Sequence, residues 1–168
     1  FGSIFDYIQQ NIFEDKPIKN DIINIGFWPG GDRDGNPFVT PEITIQVAKK
    51  LKQAILKNYY RDVKRLKRKL TFKNIEERMT ELENQLYFSF TAPEKSNISL
   101  DHFVSELRAI KNIIVKDHQS LYLNEVNSLL NKTHLFGFHF GALDIRQDSR
   151  AHAAVFNAMV DKLIETGS

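Results

Sequence analysis

The sequence contains no cysteine in its 168 residues. That absence excludes disulfide staples, thiolate metal sites and a cysteine nucleophile, and it suits a reducing compartment. No apolar run approaches the roughly 18 uninterrupted residues that a membrane-spanning helix needs, and no basic segment precedes an apolar one at the N-terminus. Neither membrane insertion nor secretion is expected, and the compartment reads as cytoplasmic. An excess of charge of one sign is also lacking. With 23 basic and 21 acidic side chains the net charge is +2, so no global field favours nucleic acid or an acidic membrane surface. What remains is a hydrophobic share of 42% and a charged share of 26%, the make-up of a globular domain of ordinary size. The first residue is Phe1 rather than methionine and the last segment still reads as helical, so both ends read as cuts inside a longer protein.

Apolar spacing divides the chain. Phe1, Ile4, Phe5, Ile8 and Ile12 recur at steps of three and four, one face of a helix, and Lys16, Pro17 and Asn20 end it. Ile22 to Trp28 is β-branched and aromatic, a short buried strand, opening a strand–loop motif over 22–39. Thr40, Pro41 and Glu42 then form a helix start: a capping hydroxyl, a proline where no donor is needed, and an acid at the positive end. The helical segment runs over 40–132. Its first helix carries the stripe Val47, Leu51, Ile55, Tyr59, Val63, Leu66 and Leu70, and a shorter one carries Ile75, Met79, Leu82 and Leu86 before the loop FTAPEKSNIS. A third starts at the cap Ser99, with Leu100, Phe103, Leu107, Ile110 and Ile114 as its stripe, and Leu121 to Leu130 forms a fourth.

Over 134–149 the period changes. In HLFGFHFGALDIRQDS both parities are apolar, which predicts a second strand buried on both faces, with His139 in the core and, where extended pairing persists to its end, Asp144, Arg146 and Asp148 projecting together at its carboxyl end. A final helix occupies 150–166, with Val155, Met159 and Leu163 on one side. The fold class is mainly α: long helices with two short buried strands, each strand ending in a polar cluster.

Three clusters bear on chemistry. The first is GGDRDGN, residues 30–36, in which two glycines allow a sharp turn or close approach to a ligand, two acids flank Arg33, and Asn36 tolerates left-handed backbone. It reads either as a polar loop with local ion pairs or as a ligand loop. A calcium loop starting at Asp32 would need a glycine where Pro37 stands and a glutamate where Ile43 stands, and a phosphate-cradling Walker loop would need a lysine and a hydroxyl after the second glycine. Both readings fail. The second is LDIRQDSR, residues 143–150. Arg146, on an otherwise apolar strand, must either pair with Asp144 or Asp148 or present its fork to a carboxylate or phosphate, since a lone buried guanidinium is costly. The third is the basic run from Arg61 to Lys73, which reads as a solvated helix face because Val63, Leu66 and Leu70 keep the apolar stripe and acids follow downstream. None of the five histidines has a second histidine four residues on, the HExxH spacing of a helical zinc site, so no metal site is expected within the chain.

The stretch GFWPGGDRDGNPFVTPE, residues 26–42, resembles the segment of phosphoenolpyruvate carboxylases that carries a tryptophan, a glycine pair and GDRDGNP followed by VT. FGFHFGALDIRQDSRAH, residues 136–152, resembles that family's LDIRQ(E/D)S segment, and the two stand in the family's order with a helical connection short for the family. The resemblance implies an internal piece of a mostly helical enzyme built around a (β/α)8 barrel, a carboxy-lyase that converts phosphoenolpyruvate and bicarbonate into oxaloacetate and phosphate. It implies that Arg146 binds the substrate phosphate, that Trp28 walls the pocket around the methylene group, and that Asp32, Arg33, Asp34, Asn36, Asp144 and Gln147 line or brace the barrel mouth. It also implies a divalent cofactor, Mg²⁺ or Mn²⁺, held by residues outside this chain, a homotetrameric, allosterically regulated parent, and no nucleic-acid or membrane partner. The family's catalytic histidine lies in a TAHPTE-like motif, which this sequence lacks, so the 168 residues alone are expected to be inactive. A different class of reading stays open beside this one: a non-catalytic helical interaction module whose two polar motifs are structural ion-pair networks.

Overall fold

The computed structural model describes residues 25–34 and 36–166, together with Tyr7, Asn11 and Ile12. Apart from Tyr7, Asn11 and Ile12, the helix expected over the first 13 residues lies outside the described residues, as does the part of the first strand before Ile25. Among the described residues there are five α-helices and two short strands: β1 (Gly26–Phe27), α1 (Pro41–Lys67), α2 (Glu76–Thr91), α3 (Leu100–Asp117), α4 (Leu123–Phe136), β2 (Ala142–Leu143) and α5 (Ser149–Thr166). A single 3₁₀ turn, Pro93–Lys95, follows α2. The fold is mainly helical. The chain divides into two compact units, one of residues 1–25 and 51–141, the other of residues 26–50 and 142–168.

The first unit is a helical core. Along α1 the residues Ile55, Tyr59, Val63 and Leu66 are buried, as are Met79, Leu82 and Leu86 on α2, Phe103, Leu107, Ile110 and Ile114 on α3, and Val126 and Leu129 on α4. The rings of Tyr59, Phe103 and Phe138 meet with centroids 5.5 to 6.1 Å apart, which ties α1, α3 and the residues after α4 together. The Tyr59 hydroxyl lies 2.9 Å from the Gly137 carbonyl and 3.2 Å from that of Lys132, so the buried phenol is satisfied at the end of α4. Ser99 caps α3, accepting from the His102 N–H at 3.1 Å. Leu70 is fully buried but follows the end of α1 at Lys67; the turn Leu70 N–H to Leu66 carbonyl, 3.0 Å, carries it inward.

Three expectations are corrected here. The helix expected at Leu121–Leu130 begins at Leu123, because Gln119, Ser120 and Tyr122 adopt positive φ, and it continues to Phe136. His134 to Phe136 are therefore helical, not strand. Gly137, at φ 51°, ends the helix with its N–H on the Thr133 carbonyl at 2.9 Å, and turns through Phe140 leave only Ala142–Leu143 extended. Phe138 packs inward from that turn while His139 is exposed rather than in the core. An apolar run on both parities fits a helix end and a turn as well as a strand, and the left-handed glycine decided between them.

The second unit carries the strands. β1 and β2 pair in parallel, with Gly26 opposite Ala142 and Phe27 opposite Leu143, and a bridge continues the pairing at Asp32 and Arg146. The strands are not buried as expected: Gly26 and Ala142 are exposed and Phe27 and Leu143 half-buried, because a two-stranded ribbon covers neither of its own faces. α5 buries none of its residues, and Val155, Phe156, Met159, Leu163 and Ile164 are exposed along it.

Candidate active site

The parallel pairing brings the two polar motifs, more than a hundred residues apart in sequence, into one site. The Asp144 N–H donates to the Phe27 carbonyl at 2.9 Å, the Arg146 N–H to the Gly31 carbonyl at 2.9 Å, and the Arg33 N–H to the Arg146 carbonyl at 3.0 Å. The glycine pair makes this approach possible. Gly31 is buried, and a Cβ there would stand 2.0 Å from the Asp144 carbonyl oxygen, a contact that no side chain allows. Gly30 has a φ of +81°, and a Cβ on it would meet Val47 at 2.6 Å. Between them, the Gly31 N–H closes a turn onto the Trp28 carbonyl at 2.9 Å, which fixes where the tryptophan leaves the strand.

An open cleft of about 450 Å³ lies at this junction, lined by Gly26, Phe27, Trp28, Asp144 and Arg146. Trp28 is 59% exposed, an apolar wall with nothing covering it among the described residues. The Arg146 side chain is 62% exposed and its Nε stands 3.5 Å from an Asp144 carboxylate oxygen. The sequence left open whether Asp144 or Asp148 pairs with Arg146. Asp144 does, while Asp148 holds Arg150, accepting from its main-chain N–H at 2.7 Å and its Nε at 3.0 Å. That bond to Arg150 holds the Asp148 carboxyl below its ordinary range. The three polar residues of the second motif therefore do not project together as expected, because the chain turns into α5 at Ser149 before Asp148 can continue the strand.

The remaining residues of the first motif divide by role. Asp32 accepts from the Asp34 N–H at 3.3 Å, a local turn, and Asp34 is exposed. Asn36 shapes the entry to α1, its side-chain oxygen accepting from the Phe38 N–H at 3.1 Å. Arg33 points its Nη2 at the Thr44 hydroxyl, 3.0 Å away, leaving its buried Nε with no partner among the described residues. Gln147 is half-buried with no hydrogen-bond partner there. At the helix start Thr40 caps as expected, its hydroxyl 3.4 Å from the Ile43 N–H, and a hydrogen bond from Thr40 lowers the Glu42 carboxyl, with the Arg33 charge adding to it. Thr44 is the residue that sequence reading missed. It stands among alternating isoleucines in the first turns of α1, and only its four-residue step from the cap Thr40 marks it out.

Among the described residues no group of three or more histidine, cysteine, aspartate or glutamate side chains could hold a metal ion. No helix there is long and apolar enough to cross a membrane. What the site can do is hold an anion: an open cationic fork beside an exposed indole suits a ligand with a charged group and a small apolar one.

Known proteins resemble this chain along most of its length. Phosphoenolpyruvate carboxylase from Nitrosomonas eutropha is 25% identical over 206 aligned positions that cover 96% of this chain and 22% of that protein. The enzyme of that name from Prochlorococcus marinus strain MIT 9301 is 26% identical over 222 positions, again covering 96% and 22%. That from Thermosynechococcus vestitus is 25% identical, covering 84% of this chain and 19% of the relative. The chain thus spans about a fifth of the length of these relatives. With 206 aligned positions against 168 residues, at least 38 positions of the first relative have no counterpart here. No solved structure matches. The family model described as phosphoenolpyruvate carboxylase matches residues 3–97 and 73–167, nearly the whole sequence, and the chain belongs to the phosphoenolpyruvate carboxylase family.

Proposed function

We propose that the full protein carboxylates phosphoenolpyruvate with bicarbonate, giving oxaloacetate and phosphate, an anaplerotic fixation of carbon in the cytoplasm. The supporting observation is the parallel pairing that sets Trp28 and Arg146 on one cleft. In this reading Arg146 binds the phosphate of phosphoenolpyruvate. Its fork donates two N–H groups to the phosphoryl oxygens and keeps a fixed positive charge there as the phosphoryl group passes to bicarbonate, which needs no reorganisation during transfer. Asp144 holds the guanidinium in place until substrate arrives, and Trp28 excludes water from the methylene carbon, where the enolate is to capture the carbon dioxide that carboxyphosphate releases with phosphate, rather than a proton. Asp32, Asp34, Asn36 and Gln147 brace the mouth of the site.

β1 and β2 are, in this proposal, two strands of a (β/α)8 barrel whose other members lie outside the described residues. The divalent metal of the family, Mg²⁺ or Mn²⁺, has no ligand set among the described residues. The catalytic histidine has no counterpart motif, so the 168 residues alone are inactive. The full protein acts as a homotetramer under allosteric control. The test is oxaloacetate formation by the full-length protein with Mg²⁺ or Mn²⁺, coupled to NADH oxidation by malate dehydrogenase. Turnover dependent on both phosphoenolpyruvate and bicarbonate is expected; its absence sinks the reading and favours a helical interaction module.

A further inference from the structure

We propose that Thr44, in the first turns of α1, is a positioning residue that aims Arg146 into the cleft. The inference rests on the reading of Arg146 as the phosphate ligand. The Arg146 side chain is 62% exposed with one 3.5 Å pairing, so its direction is set by its main chain rather than by packing. Both main-chain groups of Arg146 are held by one short segment: its N–H by the Gly31 carbonyl and its carbonyl by the Arg33 N–H. That segment is in turn tied to α1 at both ends through one hydroxyl. Thr44 Oγ1 donates to the Gly30 carbonyl at 2.7 Å and accepts from Arg33 Nη2 at 3.0 Å.

The hydroxyl's other acceptor, the Thr40 carbonyl, is farther away at 3.3 Å, so the Gly30 carbonyl is the favoured one, and the tie is enclosed. Thr44 is 6% exposed, Gly30 is held at positive φ against Val47, and Gly31 lies against the Asp144 carbonyl. The Thr44 hydroxyl is the only hydrogen-bond partner that the Arg33 guanidinium has among the described residues, its Nε being buried without one. Arg33 is therefore turned away from ligand and acts as a brace. Removing the hydroxyl leaves the Gly30 carbonyl and Arg33 Nη2 unpaired together and frees the segment that sets the Arg146 main chain. A binding group loosened by a fraction of an ångström loses affinity although every residue that touches substrate is still present.

The experiment compares Thr44→Val, which removes the hydroxyl at nearly constant volume, with Thr44→Ser, which keeps it, in the full-length protein. The expected result is a KM for phosphoenolpyruvate raised about tenfold in Thr44→Val, an unchanged KM for bicarbonate, and values near those of the unmodified protein in Thr44→Ser. A Thr44→Val protein that melts earlier but keeps its KM for phosphoenolpyruvate overturns the inference, as does an equal rise in both KM values, which marks general loosening. Should Thr44→Val fail to fold, Arg33→Gln withdraws the other side of the tie; it is expected to raise the same KM, and an unchanged value overturns the inference. Arg146→Ala run alongside separates the two ideas. If it leaves both kcat and the KM for phosphoenolpyruvate unchanged, the reading of Arg146 fails and takes this inference with it; if it impairs either while Thr44→Val leaves the KM unchanged, this inference alone fails.

Discussion

Asp32 and Arg146, more than a hundred residues apart in the chain, face one another across a parallel β-bridge, and that bridge is what makes one site of two motifs. Arg146 keeps its main chain in the pairing and its guanidinium in the open, so the atoms that hold the strands together are not the ones that face the cleft.

Arg146→Ala removes only the atoms that face the cleft. Its ion pair with Asp144 is exposed and 3.5 Å long, the kind worth less than about 1 kcal/mol, so the melting temperature should barely move. Loss of a charge-assisted phosphate contact should instead cost about 2 to 4 kcal/mol of transition-state stabilisation, roughly 30-fold to 1000-fold in rate. Steady-state kinetics beside a thermal melt read both; a variant that unfolds while the folded fraction keeps full activity would make Arg146 structural.

Gly31→Ala tests the pairing itself. The added methyl would fall 2.0 Å from the Asp144 carbonyl oxygen, backbone that cannot step aside, so β1 and β2 must separate. Activity of the full-length protein should fall below detection while far-UV circular dichroism keeps its helical signal. Retained activity would mean that the close approach of the two segments is not needed.

Tyr59→Phe in the helical unit removes a buried hydroxyl from the Gly137 and Lys132 carbonyls and should cost about 1 kcal/mol. Phe103→Ala, which empties a fully buried ring from the same cluster, should cost about 3 to 5 kcal/mol. Urea melts of the two variants check the order; an equal loss would contradict the packing described. Burial raises the Tyr59 phenol, so no tyrosinate absorbance from it should develop at pH 10 in the folded chain.

Acid should weaken the chain by a defined route. Hydrogen bonds from Lys69 to Glu125, from Thr40 to Glu42 and from Arg150 to Asp148 lower all three carboxyls. A carboxyl lowered on folding contributes stability that is complete above its ordinary unfolded value and disappears as pH falls through the lowered native value. The melting temperature is therefore expected to be flat from neutral pH to about 5 and to fall below about 4. Glu125→Gln should make the fall shallower; an identical pH profile in that variant would remove the Lys69–Glu125 pair from the account.

Much of this protein is legible in one dimension. A stripe such as Ile55, Tyr59, Val63, Leu66 needs no partner to be recognised as a buried helix face, because helical geometry places those positions on one side whatever they pack against. The caps at Thr40 and Ser99 are equally local, one hydroxyl serving amides two or three residues away. GDRDGNP and LDIRQDS, as residue strings, carried the family. What the tertiary structure decided is everything that depends on residues distant in sequence. It replaced the strand expected from His134 with a helix end and a turn through Phe140, where Gly137 takes positive φ. It chose Asp144 over Asp148 as the partner of Arg146, and it separated Arg146, open to the cleft, from Arg33, turned onto Thr44. Two arginines in two polar motifs look alike in a sequence; only the pairing of the strands determines which one has room for a ligand.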